Sequence, residues 1–355
     1  MNRYMYKITV IVPAYNVEDY IQEAIDSVCN QTMKFEDIQI IIVDDCSTDD
    51  TLRIIKERYS HYENIEIIEC NQSSGAAGRP RNIGIEHTRG EYIMFLDPDD
   101  LFEKDAFETL YREITQKGAQ ISIGSYIQFN EKRSYKHPIL KKQLKHPISS
   151  VILEGDSDFI KLPPSIWCKI YKTEFIKNHN IKFPEGIACQ DAVFMTACFM
   201  QAKKVSYIPK SIYRYRLRPT SITNNLKIKY FEDYSKSRKM IIECYAKRPD
   251  IDYFEWRYEE DIRFILEKLK QFNNTNIEDK VRIIEILEWF ILEEEKVKHS
   301  INNEMIRSVI KKVKTQEYKE AVQVLEEGRQ ESKYFFSIAI AKLKKILFNN
   351  LQLGK

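Results

Sequence analysis

The sequence predicts an α/β fold: a mostly parallel sheet covered by helices, followed by a helical C-terminal region. Two observations carry this. Through the first 230 residues, short apolar runs rich in β-branched residues alternate with segments of helical spacing. That is the pattern of a parallel sheet buried on both faces. The turn formers are also unevenly spread. Residues 1–230 hold eight of the ten glycines and ten of the eleven prolines, and 231–355 hold only Gly328, Gly354 and Pro249. Losing both kinds of breaker marks a change from strands and loops to long helices. The reading is therefore two domains, 1–230 and 231–355.

In chain order, Ile8–Val12, Ile38–Val43, Ile65–Ile68, Tyr92–Leu96 and Ile121–Ile123 read as strands. Ile21–Cys29, Thr51–Tyr59 and Leu101–Ile114 carry apolar residues at helical spacing, as does the stretch from Asp191 to Ala202. Beyond residue 230, Ile262, Ile265, Leu266, Leu269 and Phe272, then Val281, Ile284, Leu287 and Ile291, define two amphipathic helices of a bundle. The bundle packs on the first domain or on another subunit, making a homo-oligomer. Ser332–Lys355 carries five lysines and no acid among apolar residues. It reads either as a basic amphipathic tail in peripheral contact with an anionic membrane or as a terminal helix docked on the bundle.

Composition excludes several classes. Fifty-five basic and fifty-three acidic residues leave +2, so no global field marks a nucleic-acid binder. No run approaches the roughly 18 apolar residues of a membrane span. The start reads as a strand with no h-region, so no signal peptide is expected. Seven scattered cysteines without a CxxC pair fit reduced thiols in a cytoplasm, with neither disulfide framework nor zinc site. The N-x-S/T matches at Asn30, Asn71 and Asn273 then carry no glycan.

Parallel sheets bind ligands beyond the carboxyl ends of their strands, so polar motifs directly after strands take a chemical reading. Asp44 and Asp45 close one strand; Asp97, Asp99 and Asp100 follow another, with Pro98 fixing the backbone between them. Adjacent carboxylates repel unless something neutralises them. Hard oxygen ligands of this kind suit Mn²⁺ or Mg²⁺ completed by substrate phosphates. The plainer alternative makes Asp99 or Asp100 the cap of the helix Leu101–Ile114, and Ser47, Thr48 or Asp49 the cap of Thr51–Tyr59.

Ser73–Asn82 is a loop of small residues closed by Arg79 and Arg81, which suits an anionic ligand or simply a flexible loop. It lacks both a Walker ending and a GxGxxG. Asp191 places one acid at the entrance of an apolar helix, where the plainer reading makes it the N-cap. Arg214, Arg216 and Arg218 alternate along one segment, so on a strand all three share a face and invite an anionic partner.

Together and in this order, the motifs resemble a family 2 glycosyltransferase of the GT-A fold, a Rossmann-like nucleotide-binding sheet. The carriers are Val10–Asn16 (VIVPAYN), Val43–Asp49 (VDDCSTD), Gly78–Gly84 (GRPRNIG), Phe95–Asp100 (FLDPDD) and Gln190-Asp191. The resemblance covers about residues 6–225 and is nearest to bacterial wall teichoic acid, capsule and exopolysaccharide transferases, which add a helical C-terminal region to such a domain.

The resemblance implies an inverting hexosyl transfer from a UDP-sugar to a hydroxyl of a cell-surface glycan, polyol phosphate or lipid-linked acceptor. By it, Pro13, Ala14, Tyr15 and Asp45 hold the nucleoside. Asp97-Pro98-Asp99 is the DXD-type motif, with Asp99 on Mn²⁺ or Mg²⁺ and Asp97 toward the ribose or donor sugar. Arg81 lies near donor sugar and phosphates, Arg216 and Arg218 meet the diphosphate, and Asp191 is the base. Gln190 departs from the acid usual before that base. The C-terminal helices form an oligomer interface, an acceptor platform or a lid.

Three other readings were weighed. A sugar-phosphate nucleotidyltransferase needs a glycine-rich basic loop where Pro13-Ala14-Tyr15-Asn16 stands. A haloacid-dehalogenase phosphatase needs Thr or Val where Asp100 stands. A non-catalytic glycan-binding or assembly module retaining the fold is opposed by the intact set Asp97, Asp99 and Asp191.

Overall fold

The computed structural model describes residues 4–130, 134–136, 151–154, 164–218, 226–272, 276–298, 301 and 303–327. The tail 332–355, Asn273 and most of 131–163 lie outside them. By contact clustering the chain forms two compact units, Met1–Ser221 with Lys236–Ile251 and Ile222–Ser235 with Asp252–Lys355. The boundary expected near residue 230 falls in the helix Ile228–Ala246, along which the two units meet between Ser235 and Lys236.

The first unit is built on a mixed, mostly parallel sheet. Its strands are β1 (Tyr6–Ala14), β2 (Ile38–Asp44), β3 (Ile65–Glu69), β4 (Gly90–Phe95), β5 (Leu101–Phe102), β6 (Ile121–Phe129), β7 (Ser134–Lys136), β8 (Val151–Glu154), β9 (Lys169–Lys172) and β10 (Lys204–Arg216). The order is β3-β2-β1-β4-β9-β6-β10-β5, with β7 on β6 and β8 on β10. Strands β3, β2, β1 and β4 are mutually parallel; β9 runs antiparallel between β4 and β6. Helices α1 (Ile21–Cys29), α2 (Thr51–Tyr59), α3 (Gly78–His87), α4 (Ala106–Lys117), α5 (Thr173–Asn178) and α6 (Gln190–Gln201) accompany them.

Both faces of the central strands are covered, which is why they read as continuous apolar runs. All seven residues of β2 are buried, and Ile40, Ile41 and Ile42 are each 0% exposed. Each such side chain contributes about 2 kcal/mol by leaving water. The polar residues inside the sheet pair with each other. Thr9 Oγ1 donates to Gln39 Oε1 at 2.7 Å, and Gly90 N donates to Thr9 Oγ1 at 2.9 Å. Register then fixes where the strands end: Ala14 lies opposite Asp44, and Ile11 opposite Phe95. The segments after β1, β2 and β4 therefore emerge along one edge of the sheet.

Two elements differ from expectation: the loop read at Ser73–Asn82 gives way at Gly78 to α3, and the helix read at Leu101–Ile114 is broken. Leu101–Ile114 is not a single helix. Leu101 and Phe102 form β5, paired with Arg214 and Tyr213 of β10, and α4 begins only at Ala106 with Asp105 at its N-cap. Neither Asp99 nor Asp100 caps it. Asp50 occupies the N-cap of α2, where Asp49 Oδ1 accepts from Thr51 N at 3.0 Å.

The second unit is helical. Helix α7 (Ile228–Ala246) begins in it and is followed by α8 (Tyr253–Trp256), α9 (Tyr258–Gln271), α10 (Ile277–Leu292) and α11 (Glu304–Lys314). Ile262, Ile265, Leu266 and Leu269 of α9 are buried, as are Ile284, Leu287 and Ile291 of α10. Tyr258 Oη donates to the carbonyls of Phe290 and Ile291 at 3.1 and 2.8 Å, tying α9 to the end of α10. Among the described residues, no helix is long and apolar enough to cross a membrane.

Candidate functional site

The acids of the sheet edge are held by three arginines. Arg81, on the first turn of α3, is 4% exposed and bonds two carboxylates at once. One terminal nitrogen lies 2.6 Å from Asp97 Oδ1, the other 2.8 Å from Asp191 Oδ1. Burial works against the Arg81 charge, and Asp191 and then Asp97 outweigh it, so the guanidinium holds its proton more firmly than usual. Burial likewise pushes the Asp191 carboxyl above the ordinary aspartate value, with Arg81 pulling it back. Asp191 nevertheless keeps 32% of its side chain exposed.

Asp191 is not the cap of α6. Cys189 stands there in the left-handed region, φ +60°, and Asp191 is the second helical residue. Similar backbone recurs beside other site residues: Asn16 (φ +49°) after Tyr15, Cys46 (φ +68°) after Asp45, and Cys168 (φ +54°) before Lys169. Non-glycine residues adopt this conformation at a cost of about 1–2 kcal/mol, usually where the surroundings impose it.

Asp99 and Asp100 divide the remaining arginines. Arg218 Nη2 lies 2.5 Å from Asp99 Oδ2. Arg216 donates its backbone N–H to Asp100 Oδ1 at 2.7 Å and its Nε–H to the Asp99 carbonyl at 2.7 Å, and its Nη2 reaches Glu23 at 2.6 Å. Arg216 and Arg218 also sit over the Tyr20 ring, at 5.4 and 5.0 Å. Burial, then the charges of Asp99 and Asp97, push the Asp100 carboxyl well up. Burial and Asp97 raise that of Asp99, opposed by Arg218. The arginine segment thus meets its anionic partners inside the chain.

The residues expected to take a nucleoside lie at and beyond the ends of β1 and β2. Pro13 and Ala14 end β1, and Tyr15 follows with 48% exposure. Asp45, 4% exposed, accepts at Oδ2 from Ser73 Oγ (2.9 Å), Ser74 N (2.8 Å) and Ser74 Oγ (3.0 Å). Its buried Oδ1 has no partner among the described residues. A buried carboxylate oxygen left open is costly unless a donor arrives. The neighbouring Asp44 serves its own loop, accepting from Ser47 N at 3.0 Å.

The close approach of α3 requires Gly78. A Cβ there would lie 2.2 Å from the Pro184 carbonyl oxygen and 2.3 Å from Gln190 Oε1. Gln190, 7% exposed, thus packs on the start of the helix that carries Arg81.

Three supporting residues escaped the sequence reading. Tyr213 is fully buried; its hydroxyl donates to Asp100 Oδ2 at 2.9 Å and accepts from Asp97 N at 3.2 Å. Trp167 stacks on Tyr213 (4.9 Å, 10°) and Tyr215 (5.4 Å, 22°). Lys169, 1% exposed, acts electrostatically on Asp191. Alternation in β10 signalled the first, since Tyr213 and Tyr215 alternate with Arg214 and Arg216 and so take the opposite face. A lone lysine inside the apolar run Ile166–Tyr171 signalled the last.

No group of three or more His, Cys, Asp or Glu side chains able to hold a metal exists among the described residues. A divalent ion held by one carboxylate and substrate phosphates needs none. Asp99, the residue expected to hold the ion, has its Oδ2 paired with Arg218 Nη2 at 2.5 Å, so an ion there would have to displace that guanidinium.

Residues 9–187 match the family described as Glycosyl transferase family 2. The poly(ribitol-phosphate) beta-glucosyltransferase of Bacillus spizizenii is 35% identical over 213 residues, 60% of this chain and 32% of that protein. The glycosyltransferase GlyA of Streptococcus pneumoniae is 34% identical over 224 residues, 61% of this chain and 31% of that protein. The chain thus aligns with about a third of each of these relatives. The crystal structure of Staphylococcus aureus TarS 1–349 in complex with UDP-GlcNAc superposes with a TM-score of 0.71 at 22% identity, covering 92% of both chains. That likeness establishes a common GT-A fold.

Proposed function

The chain belongs to glycosyl transferase family 2, and from that premise we propose that it moves a sugar from a UDP-sugar to a hydroxyl of a teichoic acid, another cell-surface glycan or a lipid-linked acceptor. One observation carries the reading. Arg81 bonds both Asp97 and Asp191, so a partly exposed carboxylate is tied to the acidic corner where β4 ends. The relatives named as poly(ribitol-phosphate) transferases and the UDP and UDP-GlcNAc complexes of TarS support the acceptor and donor classes.

In this reading Pro13, Ala14, Tyr15 and Asp45 take the nucleoside. The open Oδ1 of Asp45 accepts a base N–H, and the exposed Tyr15 ring offers a stacking face. Asp97 turns toward the ribose or donor sugar. Asp99 is the carboxylate that would hold Mn²⁺ or Mg²⁺, whose chemistry when bound is to neutralise charge on the diphosphate. Arg216 and Arg218 lie beside it and supply fixed positive charge for the leaving group.

The transfer is a single displacement. An acceptor hydroxyl has a pKa far above neutrality, so it needs a base within about 3 Å. The acceptor oxygen bonds to the anomeric carbon from the face opposite the diphosphate, the bond from that carbon to the phosphate oxygen breaks, and the hydroxyl proton passes to Asp191. Attack from the opposite face inverts the anomeric centre.

A panel of UDP-sugars with Mn²⁺, assayed for free UDP with and without acceptor, tests the proposal. Release from at least one donor, abolished in D191N, is expected. Absence of release from every donor, with binding also absent, contradicts it and favours a non-catalytic module.

A further inference from the structure

Lys169 is a charge enclosed within an apolar strand. It is 1% exposed, and its ammonium donates to the carbonyl and hydroxyl oxygens of Ser165, the latter at 3.3 Å. Among the described residues no carboxylate forms an ion pair with it. An unpaired buried ammonium is expensive, and turn closure alone needs no charge.

Its position on β9 explains what the charge faces. Side chains two apart on a strand share a face, so Lys169 goes with Tyr171. The Tyr171 hydroxyl lies 3.0 Å from Met195 Sδ on α6. Met195 is four residues beyond Asp191, one helical turn away on the same side. Lys169 therefore lies on the face of β9 against which α6 packs through Met195, the helix face shared by Asp191 and Cys198, and its charge acts on both Asp191 and Cys198. The groups facing Asp191 are Arg81 from α3, Asp97 after β4, and Lys169 and Tyr171 from β9. Those facing Lys169 are Asp191 and the thiols of Cys168 and Cys198.

We infer that Lys169 is a positioning residue for Asp191: an ammonium fixed by the Ser165 turn behind the helix that carries the base, its charge steadying the carboxylate while the other side faces the acceptor. The left-handed Cys168, φ +54°, directs the chain into this arrangement. The inference rests on the reading of Asp191 as base, and its test separates the two.

The test measures UDP release against pH for the full chain, for K169M, K169R and D191N, with a UDP-sugar donor. Removing an opposite charge near a carboxylate raises its pKa. K169M should therefore move the acidic limb of kcat/KM upward, with activity recovering toward wild type at alkaline pH and the donor KM little changed. K169R, which keeps the charge, should leave the limb in place. A K169M profile lowered equally at every pH, with its limb unmoved, overturns the inference and leaves Lys169 a turn staple. If circular dichroism shows K169M unfolded, K169Q, which keeps a donor for the Ser165 oxygens but not the charge, decides: a raised limb supports the charge role, and an unmoved one contradicts it. Full activity in D191N instead sinks the base assignment itself.

Discussion

The Arg81 guanidinium lies 2.8 Å from Asp191, a residue 110 positions further along the chain. Its other terminal nitrogen lies 2.6 Å from Asp97, so one buried side chain joins the start of α6 to the end of β4. The planar fork of arginine spans two acids; a lysine ammonium serves one. R81K should therefore lower kcat/KM by about two orders of magnitude. R81A should in addition destabilise the chain by about 1–3 kcal/mol, read from denaturant melts, because it strands two partly buried carboxylates.

Asp191 must be ionised to accept a proton, and burial raises its carboxyl above the ordinary value of 3.8. The sign follows: activity is present above this raised pKa and falls as pH drops through it. A kcat/KM profile should show an acidic limb at a pH above that of a free aspartate. A rate independent of pH down to 4 would contradict this.

Asp99 pairs with Arg218 at 2.5 Å, so a divalent ion and a guanidinium compete for one carboxylate. D99A should abolish the dependence of turnover on added Mn²⁺ and remove Mn²⁺ binding measured by calorimetry in the presence of UDP. Unchanged metal titration in D99A would refute the assignment.

Gly78 has the Pro184 carbonyl oxygen 2.2 Å from where a Cβ would stand. Backbone yields less than a side-chain tip, so G78A should cost about 1–3 kcal/mol of stability. It should also weaken turnover more than donor binding, since it shifts the helix that carries Arg81.

What could be read from the sequence and what could not differ by the range of the contacts involved. Helices α1 and α2 follow their local periodicity and occupy the residues that spacing predicts. The motifs Asp97–Asp100 and Gly78–Gly84 were legible because a parallel sheet places its ligand edge after its strands. Leu101–Phe102 was misread as helix because its pairing partners, Tyr213 and Arg214, lie more than a hundred residues away. The same distance concealed the fate of Asp100, which local sequence offers as a cap and Tyr213 and Arg216 claim from β10. Arg216 at the end of β10 and Arg218 beyond it read as cations awaiting an external anion, yet Asp99, Asp100 and Glu23 already meet them within the chain.

Asp191, held in place by Arg81, is proposed here as the proton acceptor of a UDP-sugar transfer. Calorimetric binding of the accepted UDP-sugar, paired with acceptor-dependent turnover in wild type and D191N, separates that role from donor binding. D191N should bind the donor within about threefold of wild type, a loss below about 1 kcal/mol, while turnover falls at least about a thousandfold. Turnover near the wild-type rate in D191N, with the donor still bound, would contradict it.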